Sequence, residues 1–94
     1  MNIANFKKVL AHIEAHPDEW DQSIYHSHCR TKHCLAGWAQ ILSGNKMNKM
    51  RARTDAMKYF DLMFDEKNYL FCFRRTLPDF RNFLKRAELE ESTK

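Results

Sequence analysis

The chain has 94 residues, of which 44% are hydrophobic and 13% aromatic, and its net charge is +4. This length suits one domain, because two halves would each be too small to bury a core, and the apolar content excludes intrinsic disorder. No apolar run approaches the roughly 18 residues of a membrane span, and the first residues lack the order of a secretory signal. We therefore expect a soluble cytoplasmic protein without membrane contact. Three cysteines, an odd number, fit a reduced compartment.

The first predicted element is a helix. Its apolar residues follow three-and-four spacing at Ile3, Phe6, Val9, Leu10 and Ile13. Asn2 is the predicted N-cap, and Pro17 ends the helix.

A long connection follows, from Asp18 to Lys32, without a sustained period. We predict an ordered loop, with room for one helical turn, that Trp20, Ile24 and Tyr25 pin to the domain. Loops of this length in a small domain usually carry function or are held by a specific interaction.

A central helix is predicted from Thr31 or Lys32 onward, and Gly44 is placed to end it in a left-handed conformation. Its apolar face consists of Leu35, Trp38, Ala39 and Leu42. Trp38 is interpreted as a core anchor on this spacing. Gly37, between two alanines, allows another backbone to come close.

Three further helices are predicted. The third carries its apolar residues at Ala52, Ala56, Tyr59, Phe60 and Met63. The fourth is short, with Asp65 as its cap, and bears Tyr69, Leu70 and Phe73. In the last, Asp79 returns a hydrogen bond to the cap Thr76, and Pro78 occupies the first turn. Its predicted buried face is Phe80, Phe83, Leu84 and Ala87.

These elements predict an all-α fold. We expect a compact single domain at residues 1–88, built from four to five short helices with a long ordered loop before the central helix. Residues 89–94 are expected to form a polar C-terminal tail that frays.

The segment from His26 to Cys34 holds three histidines and two cysteines. Thiolates and imidazoles are the usual ligands of zinc, so Cys29, Cys34, His26 and His33 form a candidate metal site. Structural zinc sites usually take ligand pairs from two separated segments, however, whereas here all candidate ligands lie in one short segment of the sequence. The favoured alternative is a buried Cys34 with solvent-facing histidines, and no cofactor.

An enzymatic role is not expected. His33 and Cys34 are adjacent on the predicted helix, so their side chains point in different directions and cannot form a nucleophile and base pair. We find no paired carboxylates, glycine-rich phosphate loop or serine–histidine–aspartate arrangement. No catalytic residue is therefore assigned.

One motif, Cys34-Leu35-Ala36-Gly37-Trp38-Ala39, follows a helix that ends at His16-Pro17 and precedes a proline-containing last helix. This order resembles a group of small uncharacterised phage and bacterial proteins with a Cys-(Ile/Leu)-Ala-Gly-Trp-Ala helix. Members commonly read Cys-Gly-Thr where this chain has Cys29-Arg30-Thr31. The resemblance implies a phage or bacterial context, in a bacterial or infected host cell, and a protein that acts by binding one host protein.

The functional prediction is therefore a small accessory protein that binds and modulates a host or partner protein. The candidate contact residues are Trp20, Tyr25, His26, His28, Arg74, Arg75 and Arg81. Aromatic and arginine side chains are typical interface anchors, although Trp20 could instead fold back over the first helix to cover the core. Two alternatives stay open: a basic nucleic-acid-binding regulator and a zinc-stapled adaptor. Composition does not predict an oligomeric state.

Overall fold

Five α-helices and a short 3₁₀ turn make up the computed structural model, which describes residues 1–27, 29 and 31–92. The helices are α1 (Ile3–Ala15), α2 (Leu35–Leu42), α3 (Ala52–Phe60), α4 (Phe64–Leu70) and α5 (Leu77–Ser92), and the turn is Pro17–Glu19. Within the described residues there is no β-strand, only an isolated bridge between Trp20 and His33. The predicted all-α domain with a long loop before its central helix is confirmed.

The core forms where α2 packs between α1 and α3, with α5 against α1. The predicted apolar stripe of α1 is buried at Phe6, Val9, Leu10 and Ile13. Phe6 meets Phe60 of α3 edge to face, with 5.2 Å between ring centroids, a favoured aromatic geometry. Trp38 is 8% exposed and lies in this core, as predicted. The central helix is therefore enclosed by its neighbours.

Three predicted helix ends are present. The Asn2 side chain accepts a hydrogen bond from the Asn5 N–H at 3.0 Å, which caps α1. Gly44 follows α2 with a φ of 90°, a conformation that favours glycine. At α5, the Asp79 carboxylate accepts from the Thr76 N–H at 2.9 Å. This bond also holds the pKa of Asp79 below its ordinary value.

Other boundaries differ from the prediction. α2 begins at Leu35 rather than near Lys32, because residues 33 and 34 pair in extended conformation with the preceding loop. α3 ends at Phe60, before the predicted Met63, because its C-cap Asp61 has a left-handed backbone with a φ of 54°. The cap of α4 is Met63, whose N–H donates to the Glu66 carboxylate at 2.9 Å, so Asp65 is not the cap.

The end of the chain also departs from the expected frayed tail. α5 continues through Ser92, and Glu88 on it forms an ion pair with Lys7 of α1 at 3.5 Å. Residues 89–92 are thus helical, and residues 93 and 94 lie outside the described part. None of the helices described is both long enough and apolar enough to span a membrane.

Candidate functional site

The loop before α2 is held by hydrogen bonds between its two flanks. The His33 N–H donates to the Glu19 carbonyl at 3.0 Å, and the Asp21 N–H donates to the His33 carbonyl at 3.1 Å. Further along, the Cys34 N–H donates to the Ile24 carbonyl at 2.8 Å. We call residues 19–34 the histidine loop; His28 and Arg30 within it lie outside the described residues. The prediction of an ordered loop agrees with these bonds.

Ser27 closes the far end of the histidine loop. Its Oγ accepts hydrogen bonds from the Thr31 and Lys32 N–H groups, each at 3.0 Å. Its own N–H donates to the Lys32 carbonyl at 2.8 Å. Because Ser27 follows His26 and Lys32 precedes His33, this turn brings the two imidazoles together.

His26 and His33 form a buried pair, which we call the histidine pair. Their side chains are 4% and 2% exposed, and their Nδ1 atoms lie 2.8 Å apart. The His26 Nε2 lies 2.6 Å from Oε1 of Gln40 on α2. Both nitrogens of His26 are therefore engaged inside the protein.

Gln40 links the histidine pair to α3. Its Nε2 donates to Oδ2 of Asp55 at 2.9 Å and to the Asn48 carbonyl at 3.1 Å. Its Oε1 accepts from the Asn48 N–H at 3.0 Å. These contacts fix the orientation of the amide, so the His26 Nε2 must carry the proton that it shares with Gln40. Asp55 also lies 3.9 Å from the Arg51 guanidinium.

Two other histidines, His12 and His16, are connected to the histidine pair by a series of ring contacts that includes Trp38. His33 contacts Trp38 at a centroid distance of 4.7 Å, and His12 contacts its ring at 4.2 Å. His16 lies 4.8 Å from His12. The Nε2 of His12 is buried and has no hydrogen-bond partner among the described residues. Ring contacts therefore connect the buried His33 through Trp38 to the half-buried His12 and the exposed His16.

The predicted metal site is not formed. Within the described residues, no three His, Cys, Asp or Glu side chains gather in a group that could hold a metal ion. The two imidazoles of the predicted set, His26 and His33, bond to each other, and Cys34 caps α2, its Sγ accepting from the Gly37 N–H at 3.4 Å. Cys29 is exposed. The two histidines thus pair with each other while the two cysteines lie apart from them in function, and the predicted four-ligand set is not assembled.

The cysteines are free thiols among the described residues. Burial raises the pKa of the Cys34 thiol to about 11, with hydrogen bonds from nearby N–H groups acting in the opposite direction. Cys34 is therefore a neutral thiol at ordinary pH. A neutral thiol is a poor nucleophile.

A groove of about 410 Å³ lies between the histidine loop and the segment that connects α4 to α5. Its lining residues are Gln22, Ser23, Ile24, Tyr25, Cys34, Arg53, Asn68, Phe71, Cys72 and Phe73. We call it the Tyr25 groove. Its volume lies at the small end of the range for ligand pockets in proteins.

Gln22 fixes the two walls of the Tyr25 groove to each other. Its Nε2 donates to the carbonyls of Leu70 and Cys72 at 3.0 and 3.1 Å. Its Oε1 accepts from the Leu35 N–H at 3.0 Å and from the Trp20 indole at 3.2 Å. The side chain is 8% exposed and all its hydrogen-bonding capacity is used for structure.

The charge of the Tyr25 groove is positive. Arg53 is the one charged side chain among the described lining residues, and its Nη2 lies 3.4 Å from Oδ1 of Asn68. Burial raises the pKa of Tyr25, and the nearby Arg53 opposes this effect. Phe73 is 64% exposed, and the Arg74 guanidinium lies 5.5 Å from its ring centroid.

The predicted contact residues of the histidine loop have different positions. Tyr25 lines the Tyr25 groove, as a contact residue would. Trp20 is half-buried against Phe80 of α5, with 6.0 Å between centroids, so it covers the core instead of forming an exposed patch. His26 is too deeply buried to meet a partner. His28 lies outside the described residues.

The three predicted arginines have different contacts. Arg74 is exposed near Phe73. Arg75 is occupied by Tyr69: its Nε donates to the Tyr69 carbonyl at 3.0 Å, and its guanidinium lies 4.0 Å from the ring centroid. Arg81 pairs with Glu14 of α1 at 3.0 Å. Arg74 therefore stays a candidate contact residue, and we interpret the other two as structural.

Sequence reasoning missed Gln22, Gln40 and the Arg53 side of the groove. A signal existed for Gln40, because it is the one polar side chain in the apolar segment Leu35–Leu42, where a buried amide needs partners. Gln22 stands in a polar stretch and gives no such signal. Arg53 belongs to a basic run whose individual members cannot be distinguished by composition.

Comparison with known proteins gives no assignment. No protein-family profile, no curated protein and no solved structure matches this chain.

Proposed function

We propose that this chain is a non-enzymatic phage or bacterial accessory protein that binds and modulates a partner protein through the Tyr25 groove. One observation carries the proposal: aromatic side chains and one arginine line the groove, and none of its described lining residues is acidic. Aromatic and arginine side chains contribute a large part of the binding energy at protein interfaces.

The chemistry of the lining selects the partner. An exposed arginine beside a tyrosine and an asparagine suits a carboxylate, because the guanidinium can donate two parallel hydrogen bonds to it. Phe73, 64% exposed, offers an apolar surface next to that position. The partner we propose is therefore an acidic segment of another protein that carries an aromatic or aliphatic side chain near an aspartate or glutamate.

A peptide-display selection tests this proposal. Immobilised protein is used to select from a random peptide library, and the selected peptide is titrated against the wild type and Arg53→Glu. We expect acidic peptides with an apolar residue, and a loss of affinity of at least about 30-fold in Arg53→Glu, the size of effect seen at interface anchors. Lys8→Glu is the matched control, since Lys8 is exposed on α1, outside the groove.

Selection of no peptide, or equal losses in Arg53→Glu and Lys8→Glu, would contradict the proposal. Equal losses indicate a response to net charge instead of a specific contact. Circular dichroism of both variants establishes that each is folded.

A second candidate is nucleic-acid binding by the segment between α2 and α3 together with the first turn of α3. Its cations, Lys46, Lys49, Arg51 and Arg53, are exposed, and no acidic residue occurs between Leu42 and the buried Asp55. Binding to phosphates releases counterions and so weakens steeply with salt. Retardation of arbitrary duplex DNA that is abolished by Lys46→Glu with Lys49→Glu, and by salt, would favour this candidate over the groove.

A further inference from the structure

We propose that a second groove, between α4 and α5, is a docking site for a basic segment of a partner protein and takes one Lys or Arg side chain of that segment. The groove lies between residues 65–69 of α4 and residues 83–90 of α5, and its volume is about 320 Å³. We call it the α4–α5 groove. It shares no lining residue with the Tyr25 groove, so this inference does not rest on the proposed function.

The apolar lining of the α4–α5 groove is aromatic and held in place. Tyr69 and Phe83 line it and stack on each other, with 6.0 Å between ring centroids and 20° between ring planes. Phe83 also contacts Phe6 of the core, and the Arg75 guanidinium lies 4.0 Å from the Tyr69 ring centroid. Ala87, one turn after Phe83, lines the groove with a short side chain. The methylene groups of a long side chain can therefore pack against preformed apolar surface.

The charge of the lining selects a cation. Three carboxylates line the α4–α5 groove, those of Asp65, Glu66 and Glu90, and the one guanidinium is that of Arg86. The lining is thus negative in a chain whose net charge is +4. A lysine or arginine side chain fits both parts of the lining, because its methylene stem is apolar and its end carries a positive charge. An arginine can also donate two parallel hydrogen bonds to one carboxylate.

Asp65 is the carboxylate that is best placed to meet the incoming cation. It is exposed, and it takes part in none of the ion pairs of the described residues. The neighbouring Glu66 is used in part, because its Oε1 accepts a hydrogen bond from the Met63 N–H at 2.9 Å. That bond caps α4 and so fixes the first turn, in which Asp65 lies. We therefore assign the main contact of the cation to Asp65.

Exposed apolar side chains show that the occupant is larger than a single cation. Phe64 and Leu89 directly precede the lining residues Asp65 and Glu90, and they are 66% and 61% exposed. Large apolar side chains exposed beside a groove are typical of protein interfaces. A peptide with an aliphatic residue next to its Lys or Arg covers them, whereas a metal ion or a free amine does not. Nucleic acid is disfavoured here, because its phosphates would meet carboxylates.

A subtractive peptide-display selection tests the α4–α5 groove. Immobilised wild-type protein is used to select from a random peptide library, and peptides that Asp65→Lys also retains are discarded. We expect the remaining peptides to carry Lys or Arg next to an aliphatic residue. The tightest of them should bind Asp65→Lys at least about tenfold more weakly than the wild type, a loss typical of an interface anchor.

Two further variants complete the test. Asp18→Lys is the matched control, because Asp18 is exposed outside the groove and the change of charge is the same, so its affinity for the basic peptide should equal that of the wild type. Ala87→Leu fills the groove without a change of charge, and leucine is well tolerated in a helix. It should also lose at least about tenfold in affinity, which keeps the test decisive if circular dichroism finds Asp65→Lys unfolded.

Selection of no basic peptide would overturn this docking site, as would equal affinities of the wild type and a folded groove variant, or equal losses in Asp65→Lys and Asp18→Lys. Arg53→Ala separates the two grooves. It should bind the basic peptide as the wild type does and should lose affinity for the acidic peptide of the proposed function. Loss of the basic peptide in Arg53→Ala would place that peptide in the Tyr25 groove and overturn the inference.

Discussion

The Nδ1 atoms of His26 and His33 lie 2.8 Å apart in the interior of the protein, where each side chain is at most 4% exposed. The most distinctive segment of the sequence thus serves to join a loop to a helix. Its thiols are directed elsewhere, and the imidazoles are linked through Gln40 to Asp55 of α3. This arrangement makes the fold itself dependent on polar side chains that hydrophobic patterning does not reveal.

Replacing Gln40 by Leu should destabilise the protein by about 3 kcal/mol, because two buried side chains and a part-buried backbone segment then lose hydrogen-bond partners. His26, Asp55 and the Asn48 backbone are the groups affected. Urea unfolding at neutral pH measures the loss. Asp55→Asn is the control: its carbonyl can still accept from Gln40, so we expect a loss below about 1 kcal/mol. Equal stability of Gln40→Leu and the wild type would refute the polar link.

The two glycines should respond differently to alanine. At Gly37 the added Cβ would overlap with the Tyr25 carbonyl, a backbone atom, so the loop must move. We expect Gly37→Ala to cost about 3 kcal/mol, as overpacking does. Gly44 has open space but a φ of 90°, so Gly44→Ala should cost about 1 kcal/mol. Thermal unfolding of both variants measures the two losses of stability. A larger loss in Gly44→Ala than in Gly37→Ala would contradict the docking of the loop on α2.

Asp79 should stabilise α5 in a pH-dependent way. The Thr76 N–H holds its pKa below the ordinary value, so ionised Asp79 stabilises the fold above the unfolded-state pKa. That contribution disappears as pH falls through the lowered folded-state pKa. Asp79→Asn should therefore be less stable than the wild type at neutral pH and equal to it in strong acid. A stability difference between Asp79→Asn and the wild type that stays constant over this pH range would contradict the assignment.

The cysteines should be alkylated at different rates. With a pKa of about 11, the buried Cys34 thiol is ionised in only about one molecule in a thousand at pH 8. Mass spectrometry after iodoacetamide treatment should find exposed Cys29 modified first and Cys34 last. A chelator should leave this order unchanged. Rapid alkylation of Cys34 in the folded protein, or faster alkylation of Cys34 after a chelator is added, would contradict the capping role.

Helices and core were predictable because the spacing of apolar residues reports burial directly. Asn2, Gly44 and the Thr76 and Asp79 pair also follow local rules that need no knowledge of the fold. The start of α2 was not predictable in this way: residues 33 and 34 have side chains compatible with a helix, but they bond to Glu19 and Ile24 across the loop. A long-range bond of this kind leaves no local pattern.

The candidate site could be predicted only in part. Tyr25, predicted as a contact residue because aromatic residues in loops are typical of interfaces, does line the groove, whereas Arg74 lies outside the lining. Trp20 has the same signature, yet it packs on Phe80, a residue far away in sequence. His26 and His33 were predicted only as two of four candidate zinc ligands, and the favoured alternative of solvent-facing histidines was wrong, because both imidazoles are buried. Their direct contact depends on the Ser27 turn, which ligand types alone do not reveal.

Binding of an acidic segment in the Tyr25 groove is tested most directly by NMR, with isotopically labelled protein titrated with the selected acidic peptide. We expect saturable shifts of the signals of four residues that line the groove, Tyr25, Arg53, Asn68 and Phe73. We also expect Arg53→Glu to remove those shifts while the protein stays folded. Shifts confined to residues 45–51, or shifts that persist unchanged in Arg53→Glu, would contradict the Tyr25 groove as the binding site.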